Sequence, residues 1–154
     1  MWDDMPSSRE RAEAEGCTLT NLEKYDWSEI DSLLLSPGIP HDKPKAHWSA
    51  KAAKAAGVEI ICDIEIFARE IAARAPEQRP KVVAITGTNG KSTTTTLIGH
   101  ILNEASKDAQ IGGNIGRGVL DLDEIHKNGF YVLELSSYQP VSYTHLTLPT
   151  ILLV

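Results

Sequence analysis

The chain predicts an α/β fold with a parallel sheet, on three observations. Lys81-Val82-Val83-Ala84-Ile85-Thr86 and Phe130-Tyr131-Val132-Leu133-Glu134-Leu135-Ser136 are apolar runs, the first rich in β-branched residues, and read as buried strands. Helix-suited stretches alternate with such runs, as in strand–helix–strand units. A glycine-containing loop joins the first of these strands to the helix after it.

Each element has its own sequence signal. Ser7-Ser8-Arg9-Glu10 has the Ser-to-Glu spacing of a capping box, opening a short charged helix that Gly16 would stop. Ser32-Leu33-Leu34-Leu35 reads as a short buried strand closed by the turn Ser36-Pro37-Gly38-Ile39-Pro40. Residues 46–56 are alanine-rich and suit a helix, with Gly57 as its C′ residue. Val58-Glu59-Ile60-Ile61-Cys62 is the next strand. Asp63 can then cap a helix with Ile66, Phe67 and Ile71 on its apolar side. Two prolines in Ala75-Pro76-Glu77-Gln78-Arg79-Pro80 mark a linker. Strand 81–86 follows, then a helix over 92–105 and a short strand over 109–111. The run 130–136 closes the series.

Composition narrows the function classes. The 154 residues are 42% hydrophobic and 23% charged, an ordinary globular mixture. Residues 1–31 hold nine acids and three bases, so the whole net charge of −6 sits there; residues 32–154 hold twelve of each. A net acidic chain without a basic stripe excludes nucleic acid as the expected partner. No basic and apolar leader is present at Met1. The uncharged stretch 135–154 is broken by polar residues and two prolines, so membrane insertion is not expected. Cys17 and Cys62 read as free thiols of a reducing compartment, which together predicts a soluble cytoplasmic protein. The five histidines have no metal-ligand spacing.

Chemistry concentrates at Gly87-Thr88-Asn89-Gly90-Lys91-Ser92-Thr93, which follows a strand and opens a helix. Glycines let backbone N–H groups face phosphate oxygens, the helix N-terminus adds positive potential, and the lysine reaches the outer phosphates. Ser92 is the expected hydroxyl ligand of Mg²⁺. The spacing is shorter than that of the general phosphate loop, which makes this a variant. Glu134 lies in an apolar run near the end of a strand expected to be central. A carboxylate buried there calls for a partner or a metal, which makes Glu134 the expected second Mg²⁺ anchor. Gly112-Gly113-Asn114-Ile115-Gly116 lacks dinucleotide spacing and reads by itself as a flexible turn before a helix.

Five collinear segments resemble the Mur ligase family: Ser36-Pro37-Gly38-Ile39, Asp63-Ile64-Glu65-Ile66-Phe67, Gly87 to Thr93, Gly112 to Gly116, and Leu133-Glu134-Leu135-Ser136-Ser137-Tyr138-Gln139. Ser92 and the last two segments point to the D-glutamate-adding members. Folylpolyglutamate synthases and other Mur ligases are the alternative enzymes, and a non-catalytic nucleotide-binding module is the alternative of another class. The resemblance implies an ATP- and Mg²⁺-dependent amide-bond ligase of peptidoglycan synthesis. Such an enzyme phosphorylates the carboxylate of UDP-N-acetylmuramoyl-L-alanine, and the D-glutamate amine displaces phosphate from the acyl phosphate. It implies that residues 87–93 cradle ATP, with Lys91 and Glu134 catalytic and Ser92 and Glu134 on Mg²⁺. Ser36, Asn114 and Asp4, beside Asp3, would meet the UDP-substrate.

The resemblance also implies an organisation. Residues 1–76 would be the rear part of a Rossmann-like UDP-binding domain, 77–80 a linker, and 81–139 the front part of a P-loop parallel-sheet ATPase domain. Residues 140–154 resemble nothing in the family. Pro140 to Leu146 look like one frame through a transposon-derived sequencing adapter, so a non-native tail is the expectation. A metal-binding His, a modified Lys and the domain that holds D-glutamate would lie downstream of the matching region. The fragment alone is therefore expected to be inactive.

Overall fold

The computed structural model describes residues 1–36, 38–42 and 45–136. Pro37 of the predicted turn, Ser137, Tyr138 and Gln139 of the last matching segment, and the expected tail lie outside these residues. The described chain forms two compact units: Met1–Leu33 with Pro40–Ile60, and Leu34–Ile39 with the chain from Ile61 onward.

In the first unit, helix α1 spans Pro6–Ala14 and starts before the predicted capping box. Pro at the first helical position supplies a preset φ and has no N–H to satisfy. Met5 is the N-cap residue without a side-chain bond, and its own N–H goes to Asp3 Oδ1 at 2.7 Å. Gly16 follows the helix end at φ +84°. Helix α2, Trp48–Ala56, ends at Gly57 with φ +73°, as the sequence predicts. Strands β1 (Ser32–Leu34) and β2 (Glu59–Ile61), which lie in this unit except for their last residues, pair in a two-stranded sheet, each shorter than its apolar run.

The second unit carries helix α3, Asp63–Ala73. Its N-cap is Cys62, so Asp63 is the first helical residue rather than the cap, and its carboxylate accepts the Ile64 N–H at 2.9 Å. A single 3-10 turn, Pro76–Gln78, occupies the predicted linker. Strand β3 (Lys81–Ile85), helix α4 (Lys91–Glu104), strand β4 (Ala109–Gly113) and strand β5 (Phe130–Glu134) follow. The sheet order is β3-β5-β4 with both pairs parallel, so β5 is central. Parallel strands of one sheet need crossover connections, and α4 lies in the one from β3 to β4, which are separated by β5.

Strand alternation assigns the two faces of this sheet. Val82 and Ala84 of β3 pair in register with Tyr131 and Leu133 of β5. These four share a buried cluster with Ile64, Phe67 and Ile71 of α3 and with Leu135. Phe67 meets Tyr131 edge-on, ring centroids 5.0 Å apart. Helix α3, on the near side of the linker in sequence, thus contributes to the core of the second unit. The opposite face holds Val132, Ile111 and Glu134. There Gly99 of α4 sits so close to Ile111 that a Cβ would come within 2.4 Å of its side chain. Helix α4 therefore covers the face on which Glu134 lies.

Candidate functional site

The loop after β3 has the geometry that the sequence predicts. Gly87 and Gly90 take φ +145° and +76°, conformations that residues with a Cβ rarely adopt. Gly90 is the N-cap of α4, which leaves the first turn of that 14-residue helix without a side-chain acceptor and without acidic residues. Such an end presents N–H groups and positive potential to an anion. Lys91 is the first residue of α4, and its Nζ donates to the Gly87 carbonyl at 2.8 Å, folding the side chain across the loop. Thr88, Asn89 and Ser92 are exposed, and Thr93 lies beside them on the surface. Beneath them Thr95, fully buried, ties its hydroxyl to the Lys91 carbonyl at 2.8 Å and anchors the first helical turn.

Glu134 ends the central strand opposite Ile85, the last residue of β3. The Leu135 N–H reaches the Ile85 carbonyl at 2.8 Å, so the ends of β3 and β5 are clamped together. Glu134 is only 3% exposed. Its Oε1 accepts from Asn114 Nδ2 at 3.3 Å, whereas Oε2 is buried and has no hydrogen-bond partner among the described residues. A buried carboxylate oxygen in that condition suits a cation, since burial without a partner is costly. Asn114 also sends its backbone N–H to the Glu134 carbonyl at 2.8 Å. The structure thus brings Lys91 onto its own loop and Asn114 onto Glu134, both at the carboxyl ends of parallel strands, where ligands of open α/β sheets bind.

The other predicted residues are placed differently. Ser36 is exposed and belongs to the second unit, its carbonyl accepting the Ile39 N–H at 3.2 Å. Asp4 belongs to the first unit, where its carboxylate bonds His47 Nε2 at 2.8 Å and Trp48 Nε1 at 3.1 Å. These bonds, that from His47 foremost, hold the Asp4 carboxyl below its ordinary value of 3.8. A concavity of about 600 Å³ lined by Glu70, Arg74, Glu124 and Lys127 contains none of the predicted site residues. Arg74 there is already engaged by Glu70 at 3.7 Å and Glu124 at 3.5 Å. Among the described residues no group of three or more His, Cys, Asp or Glu side chains is placed to hold a metal, and no helix is long and apolar enough to cross a membrane.

The segment 112–116 is where residue reading alone missed most. Gly112 and Gly113 are not a turn before a helix but the last two residues of β4. The signal was the glycine doublet itself, since glycine within a strand marks close approach of another backbone. A Cβ on Gly113 would lie 2.4 Å from the Glu134 carbonyl oxygen.

A parallel sheet with a glycine loop, an open helix end and a buried acid at its strand ends defines a candidate nucleotide-dependent enzyme. Residues 85–148 match the Mur ligase middle domain, a stretch that runs past the expected boundary at 139. Along nine-tenths of its length the chain is similar to curated proteins named as D-glutamate-adding ligases. It is 58% identical over 139 residues to the UDP-N-acetylmuramoylalanine--D-glutamate ligase of Phenylobacterium zucineum, covering 90% of this chain and 30% of that protein. Enzymes of the same name from Caulobacter vibrioides and Agrobacterium fabrum are 55% identical over 139 residues and 54% over 138 residues, again covering 90% of this chain, with 30% and 29% of the relatives. The chain thus spans about three-tenths of the length of the curated relatives it matches.

Proposed function

We propose that this chain is part of a cytoplasmic ligase that joins D-glutamate to UDP-N-acetylmuramoyl-L-alanine at the expense of ATP, in peptidoglycan synthesis. Residues 81–139 would be the front of a P-loop ATPase domain, with α3 packed into its core, and the chain before α3 would be the rear of a Rossmann-like UDP-binding domain. The observation that carries the reading is the juxtaposition at the strand ends: a glycine loop opening an uncapped helix, next to a buried carboxylate with one oxygen unpartnered among the described residues.

In this reading the N–H groups of 87–93 hold the ATP phosphates. Lys91 leaves the Gly87 carbonyl to neutralise charge on the outer ones. Ser92 and Glu134 Oε2 would hold Mg²⁺, which supplies electrostatic stabilisation of the transferred phosphoryl group. The γ-phosphoryl group passes to the substrate carboxylate with release of ADP. The D-glutamate amine then attacks the acyl carbon, an amide forms, and phosphate leaves with the electrons of the broken C–O bond. Ser36, Asn114 and Asp4 would lie on the UDP-substrate side.

Calorimetric titration of the chain with ATP, with and without Mg²⁺, tests the nucleotide site. The expected result is Mg²⁺-enhanced binding that Lys91→Ala weakens about ten- to a hundredfold. Equal affinity in wild type and variant would overturn the assignment of the loop.

A further inference from the structure

We propose that Asn114 is a positioning residue for Glu134: its side-chain amide holds Oε1 so that Oε2 is presented to the Mg²⁺ of the nucleotide. The inference rests on the function proposed above and assigns Asn114 a task besides contact with the UDP-substrate.

Asn114 grips Glu134 at two points, backbone N–H to carbonyl at 2.8 Å and Nδ2 to Oε1 at 3.3 Å. A carboxylate only accepts hydrogen bonds, so the amide nitrogen has to be the end that faces it. The grip depends on Gly113, opposite Glu134 in the ladder, whose φ of +94° and missing Cβ let β4 approach the Glu134 main chain. The chemistry of the donor matters as much as its place. A Lys or Arg there would neutralise the carboxylate, whereas a neutral amide fixes its orientation and leaves its charge for a cation. Residues of this kind, one shell out from a metal, fix the orientation of its ligands and change affinity when removed. Asn114 is itself exposed, so the side chain that orients Glu134 is also accessible from solvent.

Mn²⁺, a paramagnetic stand-in for Mg²⁺, tests this in the isotope-labelled full chain with ATP present. The readout is broadening of the Glu134 carboxyl and amide resonances as Mn²⁺ is added, and its reversal by Mg²⁺. Asn114→Ala and Asn114→Leu are compared, the second keeping side-chain bulk without a donor. Protection of β4 and β5 amides from exchange reports that each variant is folded. The expected result is a midpoint raised about tenfold or more in whichever variant keeps that protection. Broadening in wild type with unchanged midpoints in the variants would overturn this proposal and leave the nucleotide site standing. ATP-induced shifts at Gly87 and Ser92 without any broadening at Glu134 would overturn the metal role of Glu134 and this proposal together. Absence of both responses in wild type would overturn the functional reading as well.

Discussion

Gly113 and Glu134 face each other across the β4–β5 ladder, and a Cβ on Gly113 would stand 2.4 Å from the Glu134 carbonyl oxygen. Backbone rather than a flexible side chain occupies that space, and Gly113 is also at φ +94°. Gly113→Ala therefore combines steric overlap with an unfavourable conformation. A loss of about 2–4 kcal/mol is expected, read as a lowered urea midpoint of the full chain. A variant within about 0.5 kcal/mol of wild type would mean that the strands are not held at this separation.

Tyr131 and Ile125 make a second exacting pair. The Ile125 N–H donates to the Tyr131 hydroxyl at 2.8 Å, and that hydroxyl donates to the Asp123 carbonyl at 2.9 Å. Both residues are buried. Tyr131→Phe keeps the edge-on contact with Phe67 but strands the buried Ile125 N–H, while the Asp123 carbonyl keeps its bond from Gln110 Nε2 at 3.1 Å. The expected cost is about 1–3 kcal/mol by chemical denaturation. The Ile125 amide should also exchange faster with solvent.

Much of this was legible in the residues. The apolar run at 81–85 and the Gly-Lys-Ser order located β3, the loop and α4, because strand, turn and helix each left an independent mark. Glu134 was recognisable as an acid inside an apolar run, and it stands at the end of the central strand. Strand order was not legible, since local sequence does not say that β5 inserts between β3 and β4. The bond from Asn114 to Glu134 was hidden for the same reason: twenty residues separate them, and only register makes them neighbours. The capping box at Ser7 was legible but not used, because Pro6 starts the helix first.

Lys91 should be silent in folding and decisive in binding. Its side-chain hydrogen bond runs to the Gly87 carbonyl at a partly exposed loop, so Lys91→Ala should shift the denaturation midpoint little. A charge-assisted contact to phosphate is worth about 1.5–3 kcal/mol, or about ten- to a hundredfold in Kd for ATP. Calorimetry beside urea denaturation separates the two effects. A strongly destabilised Lys91→Ala would show that the loop depends on this side chain for its structure.

Asp4 predicts an acid-dependent contribution from the first unit. Its carboxyl lies below the ordinary 3.8 because His47 and then Trp48 donate hydrogen bonds to it. A depressed folded-state value means that the unfolded chain binds the proton more readily. The stabilisation is therefore fully present above 3.8 and is lost as pH falls through the lower folded-state value. Asp4→Asn removes the charge and the titration while keeping one acceptor oxygen. The stability difference between wild type and Asp4→Asn should accordingly shrink as acid is added below 3.8. Urea midpoints of both proteins across that range measure it, with Trp48 fluorescence as a local probe. A difference that stays constant down to the acid limit would show that Asp4 is not engaged by His47 and Trp48 in solution.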